Sequence, residues 1–298
     1  PQGDDTKAPG IMEFEQMGDV RYYHHLPQGT DEWLKLRLGM LTASAISKVL
    51  TPTLKVANNA DTRKHIFDQI DQSLTRLGMD YVDVLYIHRL DPETEHEEML
   101  DALEAVIQAG KVRYVAASSM WAWQFAKLRE MQKARGYQQF VAMQNCYNLA
   151  YREEEREMLP YCASEGVAVM PWSPLARGKL ARAWDETTVR SETDGFGKLL
   201  YRQQEEADRA IVETVGAIAA DRGVSRASVA LAWHFAKGVT APIIGATKPG
   251  HIDAACAAMD LALTEDEVRR LEEPYLPKNP VGVASTVPRD WSLTIARP

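Results

Sequence analysis

From about residue 61 onward, apolar positions trade between two spacings. Ile66, Ile70, Leu74 and Leu77 recur every three or four residues, marking one helical face, and Gly78 is placed to end it. Directly afterwards, residues 81–88 form a short β-branched run that closes on an ionisable side chain, His88. The alternation then repeats. Leu100, Leu103 and Ile107 carry a helical face to Gly110, with Thr94 and Glu97 at capping-box spacing. Further strands are predicted at 112–117, 140–144, 167–170 and 241–245. Helices are predicted at 123–135, 153–164, 207–222 and 251–259, and from a Ser225 cap to Lys237. Thr264 caps the last helix. Residues 181–204 are polar, charged and longer than a usual connection, and the Pro-rich chain from Pro274 reads as peripheral. Upstream of 61 the pattern is different. Residues 1–20 are turn-rich, 20–26 suit a short strand, and 31–38 and 44–50 suit helices, the first behind a Thr30 cap.

Strands alternating with helices predict a parallel α/β sheet with right-handed crossovers. In such sheets the binding site lies at the C-terminal ends of the strands. That rule puts His88, Ser118, Ser119, Gln144, Trp172 and the loop after Gly245 on one rim.

Bulk properties narrow the classes. The 298 residues suffice for one α/β barrel or two ordinary domains, and 45% hydrophobic with 26% charged residues describes a globular protein. The formal charge of −8 argues against nucleic acid as a partner. Cys146, Cys162 and Cys256 have neither metal-ligand nor CxxC spacing, so we expect free thiols, no metal site and a reducing, cytoplasmic setting. No apolar run approaches the ~18 residues of a membrane span. The first residues lack a signal peptide and an initiator Met, and we expect the true start to lie elsewhere.

Several side chains are open to two readings. His88 is either a proton donor or carbonyl-polarising group, or a packing histidine. Gln144 either binds a carboxamide or satisfies backbone groups, and Trp172 either stacks on a flat heterocycle or belongs to the core. Ser173, Leu175 and Gly178 lie in a Pro- and Gly-containing loop whose amides suit a phosphate. In Gly245-Ala246-Thr247-Lys248-Pro249-Gly250-His251, a hydroxyl and a cation precede a helix start, an arrangement suited to an anion. The runs Glu153-Glu154-Glu155 and Glu265-Asp266-Glu267 read as acids favourable to helix N-termini. Neither GxxxxGK[ST] nor GxGxxG is present.

Leu77-Gly78-Met79-Asp80-Tyr81-Val82-Asp83, Ile87-His88-Arg89, Ala109-Gly110-Lys111-Val112-Arg113-Tyr114, Met143-Gln144-Asn145, the 171–178 loop and Gly245-Ala246-Thr247-Lys248 together closely resemble the later two-thirds of an aldo-keto reductase, from about 62 to 282. The resemblance implies a (β/α)8 TIM-type barrel that reduces aldehydes and ketones with NADPH and uses no metal. By this resemblance His88 orients and polarises the substrate carbonyl. Ser118 and Ser119 hold the nicotinamide carboxamide beside Gln144, although the second position is often Asn in the family. Trp172 stacks on the nicotinamide, and Ser173, Leu175, Arg177 and Gly178 form the pyrophosphate loop. Thr247 and Lys248 contact the adenosine 2′-phosphate, which favours NADP(H) over NAD(H), and His251 and Asp253 lie where adenosine contacts are expected. Ala254 departs from the polar residue common near there.

The front of the chain departs further. The family's first third supplies three strands and, on them, an Asp, the proton-donating Tyr and a Lys. Residues 1–61 do not follow that pattern; Lys55 is a loose match to the lysine, and Tyr22 and Tyr23 precede a segment of other character. That segment, about 26–63, resembles the opening of a YqaJ-type phage exonuclease, without a complete carboxylate set for metal-assisted hydrolysis. The expectation is a chimeric chain: a partly helical, nuclease-like segment 1–61, a barrel portion 62–283 with about five of eight βα units, and a tail 284–298. The expected activity is NADP(H)-dependent reduction of a small carbonyl substrate, impaired by the missing acid. The alternatives are a non-catalytic NADP(H)-binding module and, further off, a DNA-processing nuclease fragment. Open barrel edges would favour self-association.

Overall fold

The computed structural model describes residues 14–15, 21–22, 62–90, 94–188, 194–201, 203–246 and 248–281. The expected helices at 31–38 and 44–50, Tyr23, Lys55 and nearly all of the exonuclease-like segment lie outside them. Strand β1 (Phe14–Glu15) pairs antiparallel with β2 (Arg21–Tyr22).

The main body follows the alternating pattern. Helix α1 (Thr62–Leu77) buries Ile70 and Leu74 and stops where Gly78 turns left-handed, at φ +62°. Strand β3 (Val82–Ile87), helix α2 (His96–Gln108), strand β4 (Val112–Ser118), helix α3 (Ala122–Ala134), strand β5 (Ala142–Gln144), helix α4 (Met158–Ser164) and strand β6 (Ala168–Val169) come next. The strands form one parallel sheet in chain order, β3-β4-β5-β6. Its register sets Val84 opposite Tyr114, Ile87 opposite Ala117 and Met143 opposite Val169.

Alternation sorts the side chains onto two faces. Leu85, Ile87, Val115, Ala117, Met143 and Val169 point toward the helices, packing with Leu100, Leu103, Phe125 and Leu128. Val84, Tyr86, Ala116, Ala142 and Met170 make a separate apolar cluster with Ala241 and Ile243, on the face away from these helices. There the Tyr86 hydroxyl donates to Met170 Sδ at 2.9 Å. Helices α5 (Gly195–Leu200), α6 (Glu205–Arg222), α7 (Arg226–Ala236), α8 (Pro249–Met259) and α9 (Glu265–Glu272) complete the described chain. Among the described residues, no helix is long and apolar enough to cross a membrane.

Six expectations need correction. The predicted fifth strand at 241–245 runs beside β6 but forms no ladder. Ala241 N and Ile243 N donate to Val169 O and Pro171 O (3.3 and 2.9 Å), yet the return bonds are missing. Pro171 has no N–H, and Val169 N–H is taken by Thr240 Oγ1 at 3.1 Å. The helix expected over 153–164 is split into a 3-10 turn (Glu153–Glu155) and α4, because Pro160 in a continuous helix would clash with the carbonyl of Arg156. The acids of that turn are therefore not helix N-terminal acids. Glu153 accepts from Tyr275 and Glu155 from Tyr147 and Arg152. The Thr94–Glu97 box does not form, because α2 starts at His96 with Glu95 as its cap. The described part of the chain beyond Pro274, to Val281, is not peripheral. Lys278 N donates to Glu153 Oε1 (2.8 Å) and Val281 N to the Tyr151 hydroxyl (2.9 Å). The connection 181–204 contains α5.

Candidate functional site

The sheet register builds the site. Ser118 lies opposite Gln144, and His88 follows Ile87, which lies opposite Ala117; continuing that register sets His88, Ser118 and Gln144 in one row. Residues in one row of a parallel sheet project to the same side. Two positions earlier on these strands are Tyr86, Ala116 and Ala142, so the row belongs to the face away from the outer helices. Ser118, Ser119 and Gln144 are buried, and His88 and Trp172 half-buried.

Hydrogen bonds draw four of these residues together. Ser118 Oγ donates to the Gln144 carbonyl at 2.7 Å, and Ser119 N donates to the same oxygen at 3.1 Å. The two serine hydroxyls are 3.2 Å apart, and Trp172 Nε1 donates to Ser119 Oγ at 3.1 Å. Trp172 N is bonded to the Asn145 carbonyl at 2.8 Å, which fixes the start of the loop after β6 to the end of β5. Ser119 holds a left-handed backbone at φ +48°. A β-carbon makes that conformation unfavourable by ~1–2 kcal/mol.

The loop after β6 is built from unusual backbone. Ser173, Ala176 and Arg177 have φ of +56°, +46° and +56°. Leu175, at φ −98° and ψ 20°, passes directly into left-handed Ala176. Such right-to-left pairs turn successive amides toward one concavity, the form of an anion nest. Arg177 directs its guanidinium away from that role. Nε and Nη2 bond the two carboxylate oxygens of Asp194, Nη2 at 3.0 Å, and Asp194 Oδ1 also accepts Gly197 N to cap α5. A cavity of about 340 Å3 opens here, lined in part by Arg177, Lys179, Arg182, Trp184, Asp194 and Tyr201.

The remaining expected residues lie at the next connection. Leu175 packs on Leu231, Ile244, Ala255 and Ala258, which ties the loop after β6 to α7 and α8. Lys248 is the exposed N-cap of α8, and His251 and Asp253 are exposed on its first turns. The His251 N–H donates to the Lys248 carbonyl at 3.0 Å. Thr247 lies outside the described residues.

One fully buried group had no role in the sequence reading, and one acid expected at a helix N-terminus is placed otherwise. Asn148 is fully buried; Nδ2 donates to Ser173 O (2.9 Å) and to the Tyr201 hydroxyl (3.0 Å), and Oδ1 accepts Ala150 N (3.0 Å). Its only sequence signal is an amide inside the apolar run Cys146-Tyr147-Asn148-Leu149-Ala150-Tyr151. Glu154 sits beside Asn145, and burial pushes its carboxyl up to about 7.

Comparison with known proteins follows the same stretch. Residues 44–275 match the pattern described as the Aldo/keto reductase family. The versiconal hemiacetal acetate reductase of Aspergillus parasiticus is 47% identical over 219 residues, covering 73% of this chain and 64% of its own length. An aldo-keto reductase of Fusarium vanettenii is 45% identical over 219 residues, covering 73% and 59%. The aldo-keto reductase AMT2 of Alternaria alternata is 44% identical over 224 residues, covering 74% and 60%. The chain thus spans 59% to 64% of the length of these relatives.

Proposed function

We propose, from the premise that this chain belongs to the aldo/keto reductase family, that it is an NADP(H)-dependent oxidoreductase interconverting an aldehyde or ketone with its alcohol. The observation that carries this reading is the cluster of Ser118, Ser119, Gln144 and Trp172 at the C-terminal ends of neighbouring strands. Two hydroxyls and an amide offer the donors and acceptors a carboxamide needs, and an indole ring beside them suits a flat heterocycle. The donor set therefore fits a nicotinamide. In this reading the left-handed loop 173–178 takes the pyrophosphate through its backbone, since the Arg177 side chain is held by Asp194. Lys248 at the head of α8 takes the 2′-phosphate, which selects NADP(H); Thr247, His251 and Asp253 complete that end.

When bound, a reduced nicotinamide supplies the two electrons and the hydrogen that a carbonyl carbon accepts. The chain's own contribution is to bind and orient. His88, on the row with Ser118 and Gln144, holds the carbonyl oxygen through a ring N–H and polarises it. Reduction also needs a proton at that oxygen. Lys55 is a loose match to the lysine that the family brings from its first strands, but the Asp and the Tyr have no counterpart in the pattern of residues 1–61. We therefore propose low turnover.

That last feature favours a second reading, a non-catalytic NADP(H)-binding module. NADPH fluorescence titration, followed by NADPH oxidation with a panel of aldehydes, separates the two. Binding with turnover that falls on His88→Gln supports the oxidoreductase. Binding without turnover supports the module, and absence of binding refutes both. The three unpaired cysteines fit a reducing compartment such as the cytoplasm. Among the described residues no strand pairs with the outer edge of β3, which supports self-association there. Sedimentation showing a monomer at all concentrations would refute that.

A further inference from the structure

We infer that Asn148 is a positioning residue that sets cofactor affinity by holding the carbonyl of left-handed Ser173. The inference rests on the reading of the 173–178 loop as a cofactor loop, and it adds what keeps that loop in place. Ser173 carries φ +56°, a conformation its own side chain disfavours. Its carbonyl accepts two bonds: Ala176 N–H at 2.9 Å, which closes the turn, and Asn148 Nδ2 at 2.9 Å, which ties the turn to the β5 side of the sheet. Residues of rare backbone geometry persist only where their surroundings over-determine them. Asn148 supplies that constraint here.

Asn148 is itself held on every side. Its backbone exchanges two bonds with Tyr151, N to O at 3.0 Å and O from N at 2.9 Å. Its Oδ1 accepts Ala150 N, so the amide can present only its NH2 toward the loop. The second N–H goes to Tyr201, whose hydroxyl stays neutral because burial pushes its pKa well above the usual range. Behind this bracket lies the segment 278–281. Lys278 Nζ is 5.7 Å from the Tyr201 ring centroid and 2.5 Å from Asp208 Oδ1, and Val281 N bonds the Tyr151 hydroxyl. A chain of contacts thus runs from residues 278–281 through Tyr151, Tyr201 and Asn148 to Ser173 and on to Trp172.

The test uses the full chain and three variants. Asn148→Asp keeps the shape but removes both donors: the carboxylate can accept from the Tyr201 hydroxyl, whereas it meets the Ser173 carbonyl oxygen with no hydrogen between them. NADPH affinity should fall about tenfold or more above pH 7, as expected when a buried acceptor loses its donor. Affinity should recover as pH falls and the introduced carboxyl regains a proton that can be donated to Ser173 O. A merely structural defect would show no such recovery. Asn148→Ala should lose affinity to a similar degree without recovery at any pH. Tyr201→Phe, which leaves the bond to Ser173 intact, should change affinity less than threefold. Amide exchange in the apo protein provides a readout independent of any cofactor: in Asn148→Asp the Ala176 amide should exchange about tenfold faster while those of β4 do not change. Failure of the wild-type chain to bind NADPH would count against the proposed function, and the exchange result would still decide the inference. Unchanged exchange at Ala176, equal affinity in wild type and Asn148→Asp, or an equal loss in Tyr201→Phe would overturn it.

Discussion

Replacing Lys278 by Met probes the buried anchor behind the site. Lys278 Nζ lies 2.5 Å from Asp208 Oδ1, and each side chain is only 2% exposed. Met keeps most of the apolar stem, so little packing volume is lost. What is lost is the ammonium, which leaves Asp208 buried; its Oδ2 already lacks a hydrogen-bond partner among the described residues. Breaking one side of a buried pair costs ~3–5 kcal/mol. For a domain of this size each kcal/mol shifts the midpoint by ~2–4 °C, so the melting temperature should drop by about 10 °C at pH 8. The pH dependence has a definite sign. Burial raises Asp208 from 3.8 to about 6, with the Lys278 ammonium opposing the rise. A folded pKa above the unfolded one means the associated stability is full below about 3.8 and is lost as pH rises through 6. Without Lys278 the opposition disappears and the folded pKa climbs further. At pH 5 the acid in Lys278→Met is then neutral, and the loss should shrink to ~1–2 kcal/mol. Urea denaturation at pH 5 and pH 8 measures both, with the pair Lys278→Met and Asp208→Asn as the matching control that leaves no lone charge. A loss below ~1 kcal/mol at pH 8, an equal loss at both pH values, or a double variant no better than the single one would refute the reasoning.

Three further outcomes are expected. Lys248→Ala should weaken NADPH about tenfold and NADH little in fluorescence titrations, because the loss of one charge-assisted contact to phosphate is worth ~1.5–3 kcal/mol; equal losses would remove the 2′-phosphate role. Ser119→Gly should melt about 2–4 °C above Ser119→Ala in calorimetry, since both lose the hydroxyl that accepts Trp172 Nε1 and only Ala keeps the β-carbon that disfavours a left-handed backbone; an equal or lower midpoint for Ser119→Gly would contradict the strain assigned to Ser119. Glu154→Gln should flatten the fall in stability between about pH 4.5 and 7. The wild-type carboxyl is raised from 4.5 to about 7 by burial, so its stabilising proton is present below 4.5 and lost as pH rises through 7. An unchanged urea-midpoint profile over that range would count against it.

What could be read from the residues alone was local. Periodicity and a closing glycine located α1, α3 and α6, because a helix face and a left-handed stop are properties of neighbouring residues. The row of His88, Ser118 and Gln144 was accessible for the same reason, since each lies at the end of its own strand. Where the reading failed, distant partners decided. The 241–245 segment has strand composition, but its ladder depends on Pro171 and Val169 some 70 residues earlier. The chain from Pro274 reads as peripheral, yet in its described part Tyr275 and Val281 find partners 122 and 130 residues upstream. Asn148 had no visible role because its two acceptors lie 25 and 53 residues away. Capping-box spacing at Thr94 failed more narrowly. Spacing alone does not say which residue is the cap, whereas at Thr264 the same spacing is realised with Glu267.

Among the described residues, four of the five left-handed residues other than glycine, Ser119, Ser173, Ala176 and Arg177, fall in the two strand-end connections that meet at Trp172. Strain concentrated in this way must be offset by contacts around it. Each of three can be traced. Ser119 is held by Gln144 O and Trp172 Nε1, Ser173 by Asn148, and Arg177 by the Asp194 carboxylate that also caps α5. None of these supports is local in sequence; they come from β5, from the Asn148–Tyr151 bracket and from the connection before α6. The shape of the rim is therefore a property of how these segments dock, and it should loosen before the sheet does. The ordering has a direct consequence. Mild urea should release the 172–178 loop, and with it any bound dinucleotide, while amides in β4 are still protected. Loop and β4 amides that open together at one urea concentration would mean that the rim is no weaker than the sheet, and would remove the argument that its supports are separable from the core.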